Sequence, residues 1–198
     1  MDHHKILDLI MDSRDVTVGG GSAAAIAAAM AAGLVGMVAR LSLASKGKEY
    51  GLTDESYLNL ADELDDLAET LKRGSVEDTE AYLGIKRAYT LPKETEAEKA
   101  LRRTEIERAG VAAANIPLKN AKNAARVLEI ALLLRGKSNP NAGSDLVCGD
   151  RLAAFAVHGA LLNVEANLPL IKTPSLLEPF QQVPFSFLYS QQTALSTA

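Results

Sequence analysis

Apolar residues along this chain recur three and four positions apart almost throughout, the spacing of one helical face. Ile6, Leu9 and Ile10 mark a short first helix. From Ser22 to about Ser45 the chain is nearly all apolar, with no charge between Ala23 and Ala39. A helix apolar on every side is a buried one. Thr53 or Asp54 can cap a third helix, with Tyr57, Leu60, Ala61, Leu64, Leu67, Ala68 and Leu71 on one stripe. Gly74-Ser75 breaks or loosens that helix before Val76–Thr90, and Pro92 closes the segment. Glu94 to about Ala114 reads as a further helix. Pro117 kinks it or begins a new one, which runs from Leu118 to Leu134. Gly136–Gly143 is dense in turn formers, and Ser144 can cap a last long helix to about Ile171.

Val, Ile, Thr and aromatic residues never gather into alternating runs between turns, so strands are not expected. The pattern predicts an all-α fold: one antiparallel helical bundle over residues 1–172, built on long Ala-rich core helices. Residues 173–198 differ in character. Pro174, Pro179 and Pro184 are expected to prevent a regular helix there, and Glu178 is the segment's one charge. Such a tail wraps the bundle, docks on a partner, or is foreign to the native domain.

Composition narrows the classes. A length of 198 residues suits one domain with a sizeable core, and 47% hydrophobic with 23% charged residues is ordinary for a folded protein. A formal net charge of −4 supplies no basic face for nucleic acid. Cys148 is the single cysteine, so no internal disulfide can form, which fits a reducing cytoplasm. Ala23–Ala39 is the one stretch resembling a membrane span, but small side chains transfer weakly into lipid, so a core helix is expected. Asp2, Asp8, Asp12 and Asp15 precede it, where a signal peptide carries positive charge.

Candidate chemistry sits at a few places. Gly19-Gly20-Gly21-Ser22 leads into the Ala-rich helix. The glycines free the backbone, Ser22 can cap the helix, and the exposed N–H groups favour an anion. That makes either an ordinary helix entry or the floor of a ligand site. It is neither a Walker loop nor a dinucleotide fingerprint, because no Lys-Ser/Thr pair follows and no strand precedes. Asp78 shares a helical face with Ala81, Tyr82, Ile85 and Tyr89. A carboxylate on such a face is either paired with a cation at the helix edge or tuned for proton transfer. Ser144-Asp145 reads as a helix cap with a dipole-complementing acid, or as a second functional acid. Asn163 and Asn167 lie one turn apart on an apolar helix and must bind backbone, each other or a ligand. His158 sits among apolar residues as a core histidine. No His/Cys/carboxylate group has metal-ligand spacing, so no metal is expected.

Five segments, VGGGSAAAIAAAMAAGLVGMVARLS, EDTEAYLGIKRAYTLPK, AANIPLKNA, NPNAGSDL and GALLNVEANL, occur in order across roughly residues 5–172. Together they resemble the cyclodeaminase/cyclohydrolase family of folate enzymes. Val18 stands where that family often has Pro, Tyr82 where it often has Phe, and the tail after Lys172 does not match its usual ending. The resemblance implies a homodimer that binds a reduced folate and needs no cofactor beyond it. It implies hydrolysis of 5,10-methenyltetrahydrofolate to 10-formyltetrahydrofolate. The alternative is closure of 5-formiminotetrahydrofolate with release of ammonia. A non-catalytic folate- or protein-binding dimer is the second alternative. A chain without a formiminotransferase partner tilts the expectation toward hydrolysis. Asp78 and Asp145 are then the catalytic candidates. Gly19, Gly20, Gly21, Ser22, Tyr82, Asn139, Asn141, Ser144, Asn163 and Asn167 are candidates for the pocket. Arg40, Lys93, Lys119 and Lys122 are candidates for the folate's glutamate tail.

Overall fold

The computed structural model describes residues 3–43 and 49–181. Six helices occur in order: α1 (His3–Met11), α2 (Gly20–Leu41), α3 (Asp54–Tyr89), α4 (Glu96–Leu134), α5 (Gly143–Asn167) and α6 (Pro174–Gln181). Single 3-10 turns occupy Pro140–Ala142 and Leu168–Leu170, and no strand occurs among the described residues. Helices α2 to α5 form the bundle. α2 packs between α3 and α5, α4 completes the ring against the same two, and α2 meets α4 across the diagonal. All-α architecture is therefore as the periodicity predicts.

α2 is the core of this arrangement. Ala24, Ala25, Ala28, Ala31, Ala32, Val35, Val38 and Ala39 are each at most 1% exposed. Their short side chains bring three neighbouring helices close to its axis. By length and composition α2 could cross a membrane, but 67% of its most apolar window is buried inside the bundle. Leu64 and Leu71 of α3 and Val127, Ile130 and Leu134 of α4 fill the remaining space.

Several boundaries depart from the sequence reading. Thr53 does cap α3, its hydroxyl accepting from the Ser56 N–H at 3.2 Å. α3 then continues unbroken through Gly74-Ser75. Gly74 provides room rather than a break. A Cβ there would lie 2.1 Å from Asn120 Oδ1, and Asn120 Nδ2 donates to the Gly74 carbonyl at 3.3 Å. Ser144 does not cap α5, which starts at Gly143 after Ala142. The capping side chain is Asn139, which accepts from the Asn141 N–H at 3.0 Å over the preceding 3-10 turn. α6 forms despite its prolines: Pro174 takes the first position, where its missing N–H costs nothing. Phe180 of α6 is 2% exposed and clusters with Ala114, Val164 and Ile171. Residues 182–198 lie outside the described residues.

Pro117 neither ends α4 nor starts a new helix; Glu96–Leu134 is one element. Proline has no N–H, so the carbonyl four residues earlier, Ala113, loses its helical partner. Asn167 Nδ2 donates to that carbonyl at 3.0 Å, and also to the Asn163 carbonyl at 2.8 Å. An asparagine from α5 thus replaces the donor that Pro117 removes, and fixes α5 against α4. Asn167→Ala should lower unfolding free energy by about 1–3 kcal/mol in urea titration. The cost should be smaller in a Pro117→Ala background, where a backbone N–H is restored to Ala113. Equal costs in both backgrounds would refute this pairing.

Candidate active site

The first turn of α2 cannot satisfy its own N–H groups, as in any helix. Sequence reasoning gave that role to the Ser22 hydroxyl. Instead α2 begins at Gly20, with Gly19 as an extended N-cap that makes no side-chain bond. Ser22 lies inside the helix, fully buried, and its hydroxyl points across to α3. There it meets the Ser75 carbonyl at 2.9 Å, Asp78 Oδ2 at 3.0 Å and Thr79 Oγ1 at 3.0 Å. The Ser22 backbone N–H also favours the ionised form of Asp78. The anion favoured by this helix terminus is therefore a carboxylate of the protein itself.

The glycines also work differently from the expectation of a freely turning loop. Positive φ occurs only at Gly51 and Gly136 among the described residues. Gly21 is needed for space: a Cβ there would sit 2.5 Å from both carboxylate oxygens of Asp78. At Gly20 the same atom would lie 3.3 Å from Asn163 Nδ2. Upstream, Asp15 Oδ1 accepts from the Thr17 N–H and hydroxyl, both at 2.7 Å, and from the Val18 N–H at 3.2 Å. These bonds shape the segment entering α2. The Asp-x-Thr spacing is an Asx-turn signal that could have revealed it.

Asp78, Tyr82, Gly19, Gly21, Asn163 and Asn167 line a cavity of about 350 Å³, closed further by Val16, Thr17, Ala113 and Ala166. No ion pair to Asp78 occurs among the described residues, so the reading of a helix-edge acid with a cationic partner does not hold. Burial pushes its carboxyl above the ordinary value of 3.8, and the Ser22 hydrogen bonds oppose that shift. Asn163 Nδ2 bonds back to the Gly159 carbonyl at 2.8 Å. The side-chain oxygens of Asn163 and Asn167 have no donor among the described residues, so both can accept from a ligand. Tyr82 is 41% exposed and forms an aromatic wall, with the Lys86 ammonium 5.8 Å from its ring centre.

The other expected residues lie elsewhere. Ser42 receives the Asn139 N–H at 2.8 Å, and Asn139 Nδ2 donates to the Leu41 carbonyl at 3.0 Å. This docks Asn139, Asn141, Ser144 and Asp145 at the C-terminal end of α2. The 22 residues of α2 span about 33 Å, so this group is far from Asp78 within one chain. Asn141 and Ser144 are exposed and Asp145 is half-buried. Arg40 is occupied by Asp62 and Asp65 at 3.0 and 2.7 Å, and Lys119 lies 3.8 Å from Glu77. Neither they, Lys93 nor Lys122 lines the Asp78 cavity.

A helical scaffold that holds a partly desolvated carboxyl in the wall of an aromatic-lined cavity is suited to proton transfer on a bound small molecule. The family model described as formiminotransferase-cyclodeaminase matches residues 7–183, and the chain belongs to that family. It is similar to a methenyltetrahydrofolate cyclohydrolase of Methylorubrum extorquens. The two are 34% identical over 151 residues, covering 76% of this chain and 72% of that protein. Its fold is similar to the crystal structure of formiminotetrahydrofolate cyclodeaminase from Thermotoga maritima, with a TM-score of 0.76 and 22% identity. That likeness covers 94% of this chain and 86% of the other.

The raised carboxyl has a consequence for stability. The folded protein holds the Asp78 proton more tightly than the unfolded chain does. This contribution is full below the unfolded value and is lost as pH rises through the folded one. Asp78→Asn removes the loss. The variant's melting temperature relative to wild type should therefore climb as pH rises above about 4. A flat or falling difference would contradict the assigned direction.

Proposed function

We propose that this chain hydrolyses 5,10-methenyltetrahydrofolate to 10-formyltetrahydrofolate, with Asp78 moving the proton. The carrying observation is the Asp78 carboxyl itself: desolvated, with no cationic partner among the described residues, tethered to Ser22 and lining the cavity. The named activity of the 34% identical relative supports the same reading.

The methenyl bridge is an amidinium-like cation. Its arrival supplies the positive charge that the Asp78 site lacks, which favours binding of the reactive form. A water adds to the bridge carbon and gives one proton to the Asp78 carboxylate. The tetrahedral carbon then collapses. Its hydroxyl proton leaves as the formyl carbonyl forms on N10, the bond to N5 breaks, and Asp78 returns its proton to N5. The raised affinity of Asp78 for a proton suits it to both transfers. The electrophile belongs to the substrate, so the scheme calls on no metal or redox cofactor. Tyr82 offers a ring face, and the oxygens of Asn163 and Asn167 can accept from pterin N–H groups.

The family description favours a second reading, ring closure of 5-formiminotetrahydrofolate with loss of ammonia. The same carboxyl would then protonate the departing nitrogen. Following methenyl absorbance and ammonia release side by side separates the two. Hydrolysis should dominate, and ammonia release at a comparable rate would reverse the order. Asp78→Asn should cut turnover by about 10²–10⁴-fold. The acid limb of kcat/KM in wild type should lie above the ordinary carboxylate value of 3.8. Gly21→Ala, which crowds the carboxylate, should lose about 10-fold or more while remaining folded.

The reading extends to a homodimer working in the cytoplasm. Met30, Met37 and Leu41 on α2 and Val147, Phe155 and Leu162 on α5 are 40–57% exposed. They form an apolar face suited to a second copy. Antiparallel pairing of two α2 helices would bring the Asn139–Asp145 group of one copy toward the Asp78 end of the other. Coexpressing Asp78→Asn with Asp145→Asn should then restore roughly a quarter of wild-type activity, through mixed dimers holding one intact site. A stable monomer in sedimentation, or no restoration, would sink the shared-site arrangement.

A further inference from the structure

Ser22 and Thr79 are 0% and 1% exposed, and neither lines the Asp78 cavity. Their hydroxyl oxygens lie 3.0 Å apart. The Ser22 oxygen also stands 2.9 Å from the Ser75 carbonyl and 3.0 Å from Asp78 Oδ2. A hydroxyl has one hydrogen to give and two lone pairs with which to receive. While Asp78 is ionised, the carboxylate and the carbonyl can only accept. The single Ser22 hydrogen therefore serves one of them and leaves the other.

Thr79 decides between them. When Ser22 donates to Asp78 Oδ2, its oxygen can only accept on the Thr79 side, so Thr79 is the donor there. The other acceptor within reach of Thr79, the Ser75 carbonyl, is farther off at 3.4 Å. That carbonyl also keeps its helical N–H, because α3 runs unbroken from Asp54 to Tyr89. A hydroxyl that accepts a hydrogen bond becomes a stronger donor. The order Thr79 to Ser22 to Asp78 is thus the one that best serves the ionised carboxyl. A protonated Asp78 gains less from it, since the acid's own hydrogen then competes for the Ser22 oxygen.

Charges around Asp78 leave this relay in control. α2 carries none before Arg40, which is bound to Asp62 and Asp65. On α3, Glu77 faces Lys119 of α4 at 3.8 Å, and Glu80 lines a groove between the same two helices. Ahead of α2, Asp15 is committed to Thr17 and Val18. His4, Lys5 and Asp8 of α1 do not line the cavity, nor do His158 and Glu165 of α5. Tyr82 is the one other titratable side chain that does.

We propose that Thr79 is a positioning residue: by donating to the Ser22 oxygen it holds the Ser22 hydrogen on the Asp78 carboxylate and favours the form that accepts a proton. Thr79 touches no substrate and acts through Ser22 alone. Its consequence for turnover rests on the hydrolytic reading of the Asp78 cavity, whereas the relay itself is present without substrate.

The test reads the Asp78 carboxyl in the free protein by isotope-edited infrared titration, each variant being compared with the same variant carrying Asp78→Asn. Thr79→Val keeps the shape and removes the donor, so the titration should move up by about 0.5–1 pH unit. Thr79→Ala removes the same donor and should move it the same way, so a folding defect in one replacement leaves the other to be read. Thr79→Ser keeps the donor and should titrate as wild type does. In a Ser22→Ala background Thr79→Val should cause no further movement, because the link is already cut. The acid limb of kcat/KM should follow the titration in each variant. An unmoved titration in Thr79→Val and Thr79→Ala would overturn the relay. An equal movement in the Ser22→Ala background, or in Thr79→Ser, would overturn it too, since packing would then be the cause. The expected movements in a protein that turns over neither folate would uphold the relay and sink the hydrolytic reading.

Discussion

Everything in the site depends on one contact, the meeting of the Asp78 carboxylate with the first turn of α2 through Ser22. A helix start needs an acceptor for its free N–H groups, and a buried carboxylate needs donors. Each answers the other's need, and the small residues on both helices make the approach possible. Gly21 leaves no side chain in the path of the carboxylate. Ser75 and Thr79 on α3 share the Ser22 hydroxyl. The result is an acid kept in place by neutral partners. That is the condition under which a carboxyl keeps an elevated proton affinity without losing its geometry.

The same compromise shapes the cavity wall. Pro117 breaks the α4 hydrogen-bond ladder beside the pocket, and Asn167 repairs it from α5. The repair consumes both donor hydrogens of the amide and leaves its oxygen for a ligand. A structural side chain thus presents a recognition group at no extra cost in buried polar atoms. The acid and the aromatic wall come from α3 and the amide oxygens from α5, so the pocket's shape depends on how these helices close on α2.

Much of this was legible in the sequence. The 3.6-residue period gave the helices, and the uninterrupted apolar run at Ala23–Ala39 marked the core helix. Asp78 stood out because a charge interrupts an apolar, aromatic stripe. Other features were hidden because they depend on contacts between elements. Ser22 looked like a cap because caps are defined locally, while its real partners are 53 to 57 residues away. Gly74-Ser75 reads as a break or a loosening because the use of Gly74, a seat for Asn120, exists only once α4 is placed. Pro117 reads as a kink or a new start because the donor that replaces its N–H comes from 50 residues downstream. The resemblance implies Asn139, Asn141 and Ser144 for the pocket and Asp145 as a second acid, yet within one chain they lie at the opposite end of α2 from Asp78.

The most direct measurement of the central claim is the titration of the Asp78 carboxyl itself in the free protein. It can be read by isotope-edited infrared difference spectra between wild type and Asp78→Asn. A carboxyl desolvated against α2, with no cationic partner among the described residues, must titrate above the ordinary value of 3.8. A titration at or below that value would mean that the carboxylate is solvated or charge-paired, and the account of the site would fail.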